Sequence, residues 1–343
     1  MRPTRIAIAG AGRFGTLHAR AWQEAGAEIA AVADADATRA ERLAATTGAG
    51  RHGTHLPDLV ENGSIDAVVI ASDEASHTAL TDQAISAGCH VFVEKPFALS
   101  TREAAQSIRA AEAKGLHLVA GHISRFAAPY SYLRQALDAG RLGDLWTVRL
   151  RRDFTRSWLA AFGHRVHPVW ESCIHDIDLA AYFTGEPPVT VFAVQVLDRE
   201  TAVPTSISAL LRYASGRTAT IESAWSVPDA GPQSLAGALA LDGTIAGEVE
   251  LIGSLGTVKQ RLLSDAIVEW NERGVVVPDL SLWPEHDGRL GGALRSEVEH
   301  ALAVFQGAAN ERMPHAEALW SVATAEALIR SLASGQPEAV LTD

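Results

Sequence analysis

Apolar and polar positions along the first third of the chain repeat in one rhythm. Residues 6–9 form a short unbroken apolar run, Ile-Ala-Ile-Ala, that ends at Gly10. Leu17, Ala21 and Trp22 follow at helical spacing within 16–25, and Gly26 closes the segment. This predicts a strand running into an amphipathic helix. The unit then recurs. An apolar run over 28–33 precedes a helix over 38–47, charged along one side and followed by Gly48. A short helix over 57–61 leads to the apolar run 67–71, and a helix over 74–87, closed by Gly88, leads to the strand 90–94. The capping-box pattern Ser100-Thr101-Arg102-Glu103 opens a helix that stops at Gly115, and 116–120 make the sixth strand. Strands apolar on both faces and alternating with helices predict an α/β Rossmann domain, a doubly wound parallel sheet, over residues 1–122.

After Gly121 the rhythm changes. A helix over 129–139 is followed by Gly140-Arg141-Leu142-Gly143, and 145–152 alternate as a strand covered on one side. Residues 154–169 read as a loop, followed by a helix over 171–183 that ends at Gly185. Strands are expected over 189–197, 206–213, 218–225 and 236–245, with a turn at Ser215-Gly216. A further pair, 248–252 and 257–262, flanks the turn Gly253-Ser254-Leu255-Gly256, and helices over 294–305 and 316–332 complete the pattern. Residues 123–343 are thus expected to be an α+β domain with a large, mainly antiparallel open sheet, helices lying on one face. Val191, Ala193, Ala209, Leu211, Ala219 and Ile221 supply an apolar alternation that a monomer would expose. A homodimer or homotetramer is therefore expected.

Composition narrows the function classes. The chain has 343 residues, 47% of them hydrophobic, and a formal charge of −12. That balance argues against nucleic acid or an anionic membrane surface as a partner. Cys89 and Cys173 lie far apart among apolar neighbours, which suits buried thiols in a reducing compartment. Met1-Arg2-Pro3 runs directly into a strand without the pattern of a signal peptide, and no apolar run approaches a membrane span. A cytoplasmic protein is expected.

The candidate chemistry gathers at strand ends. Gly10, Gly12 and Gly15 have the G-x-G-x-x-G spacing between a strand and a helix, with Asp34 at the end of the second strand. In a dinucleotide-binding turn the first glycine permits the bend and the second admits a pyrophosphate. The third lets helix and strand pack closely, and the acid binds the adenosine ribose. Asp34 would repel a 2′-phosphate, and the only nearby cations, Arg39 and Arg42, lie within the following helix, so NAD is preferred to NADP. Glu94-Lys95-Pro96 closes the fifth strand, where ligands of a parallel sheet bind; the proline holds Lys95 extended. Glu171, His175 and Asp178 at i, i+4 and i+7 share a helix face. A histidine beside a carboxylate is a proton acceptor tuned near neutral pH. Two other readings of these residues stay open, a core histidine beside a capping acid and a metal site, although no metal centre is expected. In the stretch 154–169, Trp158 offers a flat apolar face, while Arg156, His164, Arg165 and His167 offer donors.

The glycine fingerprint, Asp34, Ser76-His77, Glu94-Lys95-Pro96 and Ile174-His175-Asp176-Ile177-Asp178, in this order and spacing, resemble the Gfo/Idh/MocA oxidoreductases, which include glucose–fructose oxidoreductase and inositol dehydrogenase. The likeness continues through Arg125-Phe126, Leu142-Gly143 and Gly253-Ser254-Leu255-Gly256-Thr257. It implies hydride transfer between a nicotinamide cofactor and a secondary alcohol or ketone of a sugar, a cyclitol or a related polyol. Lys95 and His175 would be the catalytic pair, with Glu171 where the family usually has an aspartate. Cofactor contacts would come from Gly10, Gly12, Arg13, Phe14 and Gly15, from Asp34, and from Ser72, His77, Glu94 and Lys95. Substrate contacts would come from Lys95, His122, Glu171 and His175, together with Arg156, Trp158, Arg165 and His167. Ser72-Asp73-Glu74 departs from the proline-containing turn common at that place. A catalytically silent nucleotide-binding sensor and an imine or enamine reductase remain as alternative readings.

Overall fold

The computed structural model describes residues 2–234, 244–262, 267–272 and 274–342, the side chains of Asn62 and Asn271 excepted. Its described residues fall into two compact units. The first comprises Met1–Ile123 and Glu285–Leu319; the second comprises Ser124–Pro284 and Trp320–Asp343.

The first unit is built on six parallel strands, β1 (Arg5–Ala9), β2 (Glu28–Ala33), β3 (Arg51–Gly53), β4 (Ala67–Ile70), β5 (His90–Glu94) and β6 (Leu118–Gly121), in the order β3-β2-β1-β4-β5-β6. The helices α1 (Arg13–Glu24), α2 (Ala37–Thr47), α3 (Leu56–Val60), α4 (His77–Ser86) and α5 (Thr101–Ala113) connect them. Every residue of β4 is buried, as are Ile6, Ala7, Ile8 and Ala9 of β1, because helices cover both faces. The strand order reverses between β1 and β4, so a crevice opens beyond Ala9 and Ile70, next to Gly10 and Ala71. Edge strand β3, with Arg51 and His52 exposed, has no apolar run to mark it in the sequence.

The second unit contains α6 (Ala128–Asp138), β7 (Leu145–Thr155), α7 (Arg156–Phe162), a π-helical turn over Val169–Cys173, and α8 (Ile174–Thr184). Then come β8 (Pro188–Leu197), β9 (Pro204–Tyr213), β10 (Thr218–Val227), β11 (Ile245–Gly253) and β12 (Gly256–Arg261). Two short hairpins follow, β13 (Glu269–Asn271) with β14 (Gly274–Val276), and β15 (Glu285–His286) with β16 (Arg289–Leu290). Helices α9 (Gly292–Phe305) and α10 (His315–Ser334) and the short strand β17 (Glu338–Ala339) complete the described chain. The seven-stranded sheet has the order β12-β11-β7-β10-β9-β8-β17 and is antiparallel except where β10 runs parallel to β7. Among the described residues, no helix is long and apolar enough to cross a membrane.

Four sequence expectations need correction or completion. Val191, Ala193, Ala209, Leu211, Ala219 and Ile221 are all buried, so this stripe is the covered face of the sheet and not its bare one. On that side the Ala193 amide donates to Ser331 Oγ of α10. Alternation separates two faces but does not say which one a helix covers. The stretch 154–169 is not a loop throughout: β7 runs on to Thr155 and α7 follows, because Trp158, Leu159 and Phe162 form an apolar helix face at i, i+1 and i+4. A boundary at residue 122 also leaves Glu285–Leu319 apart from what it packs against. Trp22 of α1 stacks on Phe305 of α9 at 5.9 Å, and Arg20 pairs with Glu285 at 2.8 Å. The strand expected over 236–245 lies outside the described residues up to 243, and β11 starts at Ile245.

Helix α8 carries two aspartates into the interior, and each has its own arginine. Asp178 receives Arg125 Nη2 at 2.7 Å and Nε at 3.0 Å. Asp176 receives Arg152 Nη2 at 2.9 Å and Nε at 3.2 Å. All four side chains are buried. Arg125→Met would leave the Asp178 carboxylate buried without that partner, a loss of about 3–5 kcal/mol. Urea denaturation should show this as a lower midpoint, and Arg125→Met with Asp178→Leu should recover much of the loss.

Candidate active site

The glycine turn lies at the reversal point of the first unit. Gly10 adopts φ +105°, where a side chain is strained, and its added Cβ would meet the Ala71 carbonyl oxygen at 2.5 Å. A Cβ on Gly15 would fall 1.8 Å from the Gly10 carbonyl oxygen, so α1 packs against the turn through a bare Cα. Gly12 differs: among the described residues, no atom lies within 4 Å of the place its Cβ would take. The turn is therefore rigid at Gly10 and Gly15 and open at Gly12, at the N-terminus of α1, where amides attract phosphate. Asp34 braces it, accepting the Ala11 amide at 2.6 Å through Oδ2 and the Asp36 amide at 2.8 Å through Oδ1. Arg13 is exposed and Phe14 half-buried beside it. Arg39 lies 3.5 Å from Asp36, and Arg42 donates to the Thr38 carbonyl within α2. These residues form a turn that is open at Gly12, with the Asp34 carboxylate bound beside it.

A second group lies at the ends of β4 and β5. The Lys95-Pro96 peptide is cis. One ring nitrogen of His77 faces the Pro96 carbonyl at 2.7 Å and the other faces the Ser72 carbonyl at 3.1 Å, so a buried histidine ties the two strand ends together. Ser72 Oγ pairs with Ser76 Oγ at 2.7 Å. His77 thus holds the loop shape from within. Glu94 is also turned inward: its Oε1 accepts from His18 Nε2 of α1 at 2.7 Å, and its Oε2 accepts the Lys95 amide at 3.1 Å. Burial pushes the Glu94 carboxyl up, but the hydrogen bond and charge of His18 and the charge of Lys95 outweigh it and hold the carboxyl below its ordinary range. Lys95 itself is half-buried. His122 is buried just beyond β6.

The second unit gathers Trp158, Glu171 and the start of α8. His167 lies just before the π-turn: its carbonyl accepts the Trp170 and Glu171 amides at 2.9 and 3.2 Å, and its Nδ1 accepts the Val169 amide at 3.2 Å. Burial lowers the pKa of His167, which keeps that nitrogen available as an acceptor. Within the turn, Ser172 Oγ accepts Trp225 Nε1 of β10 at 2.5 Å, and Glu171 Oε1 accepts Trp158 Nε1 at 3.3 Å. His175 follows, half-buried, in the first turn of α8.

Several sequence readings change here. The indole of Trp158 is not an open platform: the residue is 6% exposed, with its ring 5.0 Å from Phe154 and 5.1 Å from Phe162. Asp178 does not share the surroundings of His175 and Glu171 but turns into the interior toward Arg125. Glu171 sits in a π-turn, so the regular i, i+4 register assumed for it does not extend back from α8. Arg156 and Arg165 are exposed, Arg165 with its guanidinium 5.5 Å from the Phe162 ring. His164 is exposed as well. Cys173 is buried beside the site, and burial pushes its thiol up to about 12, too high for a nucleophile. His18 and Arg152 had no local signal; each is marked only by a partner distant in sequence.

Residues 4–122 match the family model described as an oxidoreductase family with an NAD-binding Rossmann fold, and residues 130–259 match the GFO/IDH/MocA C-terminal domain. The chain is 28% identical to an inositol 2-dehydrogenase of Rhizobium meliloti, over 96% of this chain and 97% of that one. It is 32% identical to inositol 2-dehydrogenase 1 of Saccharopolyspora erythraea, over 77% and 76% of the two chains. The structure of scyllo-inositol dehydrogenase from Lactobacillus casei with bound NAD(H) and scyllo-inositol has a similar fold, with a TM-score of 0.81 at 20% identity over 99% of both chains.

The different surroundings of the glycines predict opposite phenotypes. Gly12→Ala should fold normally and raise the Kd for NAD about tenfold or more, because the methyl enters the space a pyrophosphate needs. Gly15→Ala should instead lower the Tm by about 5 °C or more, since Gly10 and α1 must move apart. Calorimetric titration and thermal melts of the two variants check this.

Proposed function

The chain belongs to the Gfo/Idh/MocA family of oxidoreductases, and on that premise we propose that it moves a hydride between NAD and a secondary alcohol or ketone of a cyclitol or sugar. It is a nicotinamide-dependent dehydrogenase acting on CH–OH groups. The observation that carries the finer reading is the match to inositol dehydrogenases along nearly the whole chain, together with Lys95 at the end of β5 and His175 in the first turn of α8. The cofactor, when bound, accepts the hydride from the substrate carbon or returns it.

In our reading Gly10, Gly12, Gly15, Arg13 and Phe14 bind the pyrophosphate side, and Asp34 binds the adenosine ribose. Asp34, with Arg39 drawn toward Asp36, favours NAD over NADP. A ring nitrogen of His175 takes the proton of the substrate hydroxyl during oxidation and returns it during reduction. Glu171 supports the positive charge that forms on that ring. The Lys95 ammonium is assigned to stabilising the negative charge that develops on a substrate oxygen. Glu94 and His77 serve through Lys95 and Pro96 and not by contact with substrate. His122, Arg165 and His167 are assigned to the substrate side as donors. The presence of both Lys95 and His175 supports a dehydrogenase more than a silent sensor, which would have no use for them.

The test is a panel of myo-inositol, scyllo-inositol, glucose and related polyols, with NADH absorbance as the readout. Turnover with NAD should exceed that with NADP. His175→Ala and Lys95→Ala should each lower kcat by about 10²–10⁴ while NAD still binds. Absence of turnover on every polyol, or wild-type kcat in both variants, would overturn the proposal.

We also propose a homodimer or homotetramer joined through the uncovered face of the large sheet. Phe192, Val194, Val196 and Leu210 are 38%, 53%, 62% and 47% exposed there, and Phe192 is paired with Leu210 across β8 and β9. Such a cluster exceeds the scattered apolar residues of a monomer surface. The free, buried thiols of Cys89 and Cys173 suit a reducing cytoplasm. Light scattering should give a multiple of the chain mass, and Val194→Asp with Leu210→Asp should shift it toward the monomer.

A further inference from the structure

We propose that Trp158 is a positioning residue for the Glu171 carboxylate, its indole N–H fixing where that acid stands beside the start of α8. The proposal rests on the reading of Glu171 as the acid that supports His175. A glutamate carboxylate swings on three side-chain torsions, so a backbone position alone leaves its charge poorly defined. Here two frames converge on it. The backbone of the π-turn is fixed from β10, where Trp225 Nε1 donates to Ser172 Oγ at 2.5 Å, and from His167, whose carbonyl accepts the Glu171 amide at 3.2 Å. The carboxylate is fixed from α7, where Trp158 Nε1 donates to Glu171 Oε1 at 3.3 Å.

The indole can serve as a post because close packing restricts its rotation. Its ring is buried and packs against Phe154 of β7 and Phe162 of α7 at centroid distances of 5.0 and 5.1 Å. The start of α7 is in turn anchored by Asp229, whose Oδ1 accepts the Ser157 amide at 3.1 Å. A buried indole N–H needs an acceptor, and a carboxylate oxygen is a strong one. The cost of burying the indole donor and the freedom of the glutamate are thus resolved by the same bond. Trp158 has no contact with the reacting atoms in this account; it acts through Glu171.

The test uses the full chain with saturating NAD and myo-inositol as the substrate probe. Trp158→Phe keeps an aromatic ring between Phe154 and Phe162 and removes the donor. It should lower kcat about tenfold, the loss expected for one hydrogen bond to a charged group, with KM, NAD affinity and Tm nearly unchanged. In a Glu171→Asp background, where the shorter acid falls short of the indole, the same substitution should change kcat less than about twofold. Incorporation of 5-fluorotryptophan supplies a readout without turnover: the resonance lost in Trp158→Phe should move in Glu171→Gln. Wild-type kcat in Trp158→Phe, an equal loss in both backgrounds, or an unmoved resonance would each overturn the positioning role. If Glu171→Gln and His175→Ala lose turnover while Trp158→Phe keeps it, the positioning role alone falls. If those two keep full turnover, the reading of the site falls and takes the positioning role with it.

Discussion

Everything that the second unit offers chemically depends on holding α8 still, and two buried ion pairs do that. Asp176 and Asp178 would be intolerable inside the protein without Arg152 and Arg125. Burial pushes the Asp176 carboxyl up, and Arg152 offsets only part of that shift, so the pair is a constraint more than a source of stability. Its effect is geometric. One arginine comes from β7 and the other from the segment before α6, so the helix is fixed in rotation from two directions. His175, between Ile174 and Asp176 in the chain, inherits its direction from these buried pairs.

The first unit solves the same problem with neutral and charged partners mixed. His77 reaches the carbonyls of Ser72 and Pro96, while Glu94 joins His18 of α1 to the Lys95 amide. Helix α1 after the glycine turn and the end of β5, which Lys95 follows, are therefore linked through one buried carboxylate. Asp34 adds a third link, from β2 to Ala11. Residues that look like ligands by their chemistry are largely engaged in holding the backbone on which the remaining ligands stand.

What could be read from the sequence follows from what is local. The strands β1, β2, β4 and β5 are unbroken apolar runs because they are buried on both faces, and Gly10 and Gly15 are fixed by contacts within a few residues or to the neighbouring strand. Lys95 and His175 stand in short motifs, so their positions were legible too. Strand β3 was not, being three residues long and polar. The uncovered face of the large sheet was misread because alternation carries no sign; only α8 and α10 decide which parity is buried. The partners of Asp178 and Asp176 lie 53 and 24 positions away, and the π-turn at Glu171 follows from Trp225 and His167 and not from helix propensity. Contacts of that range leave no period in the chain.

The return of Glu285–Leu319 to the first unit has a consequence for how the protein is made. A ribosome releases the six parallel strands early, but the surface of α1 that Phe305 covers stays bare until almost the whole polypeptide has emerged. Trp22 has Phe92 beside it but lacks the cover of Phe305 while residues 124–284 are synthesised. The nascent Rossmann sheet is thus an open-sided intermediate whose completion is deferred, and closing the long intervening segment costs entropy that grows only slowly with its length. A fragment cut after Ile123 would carry that bare side permanently, and a molecular chaperone that binds apolar helix faces would have its site there.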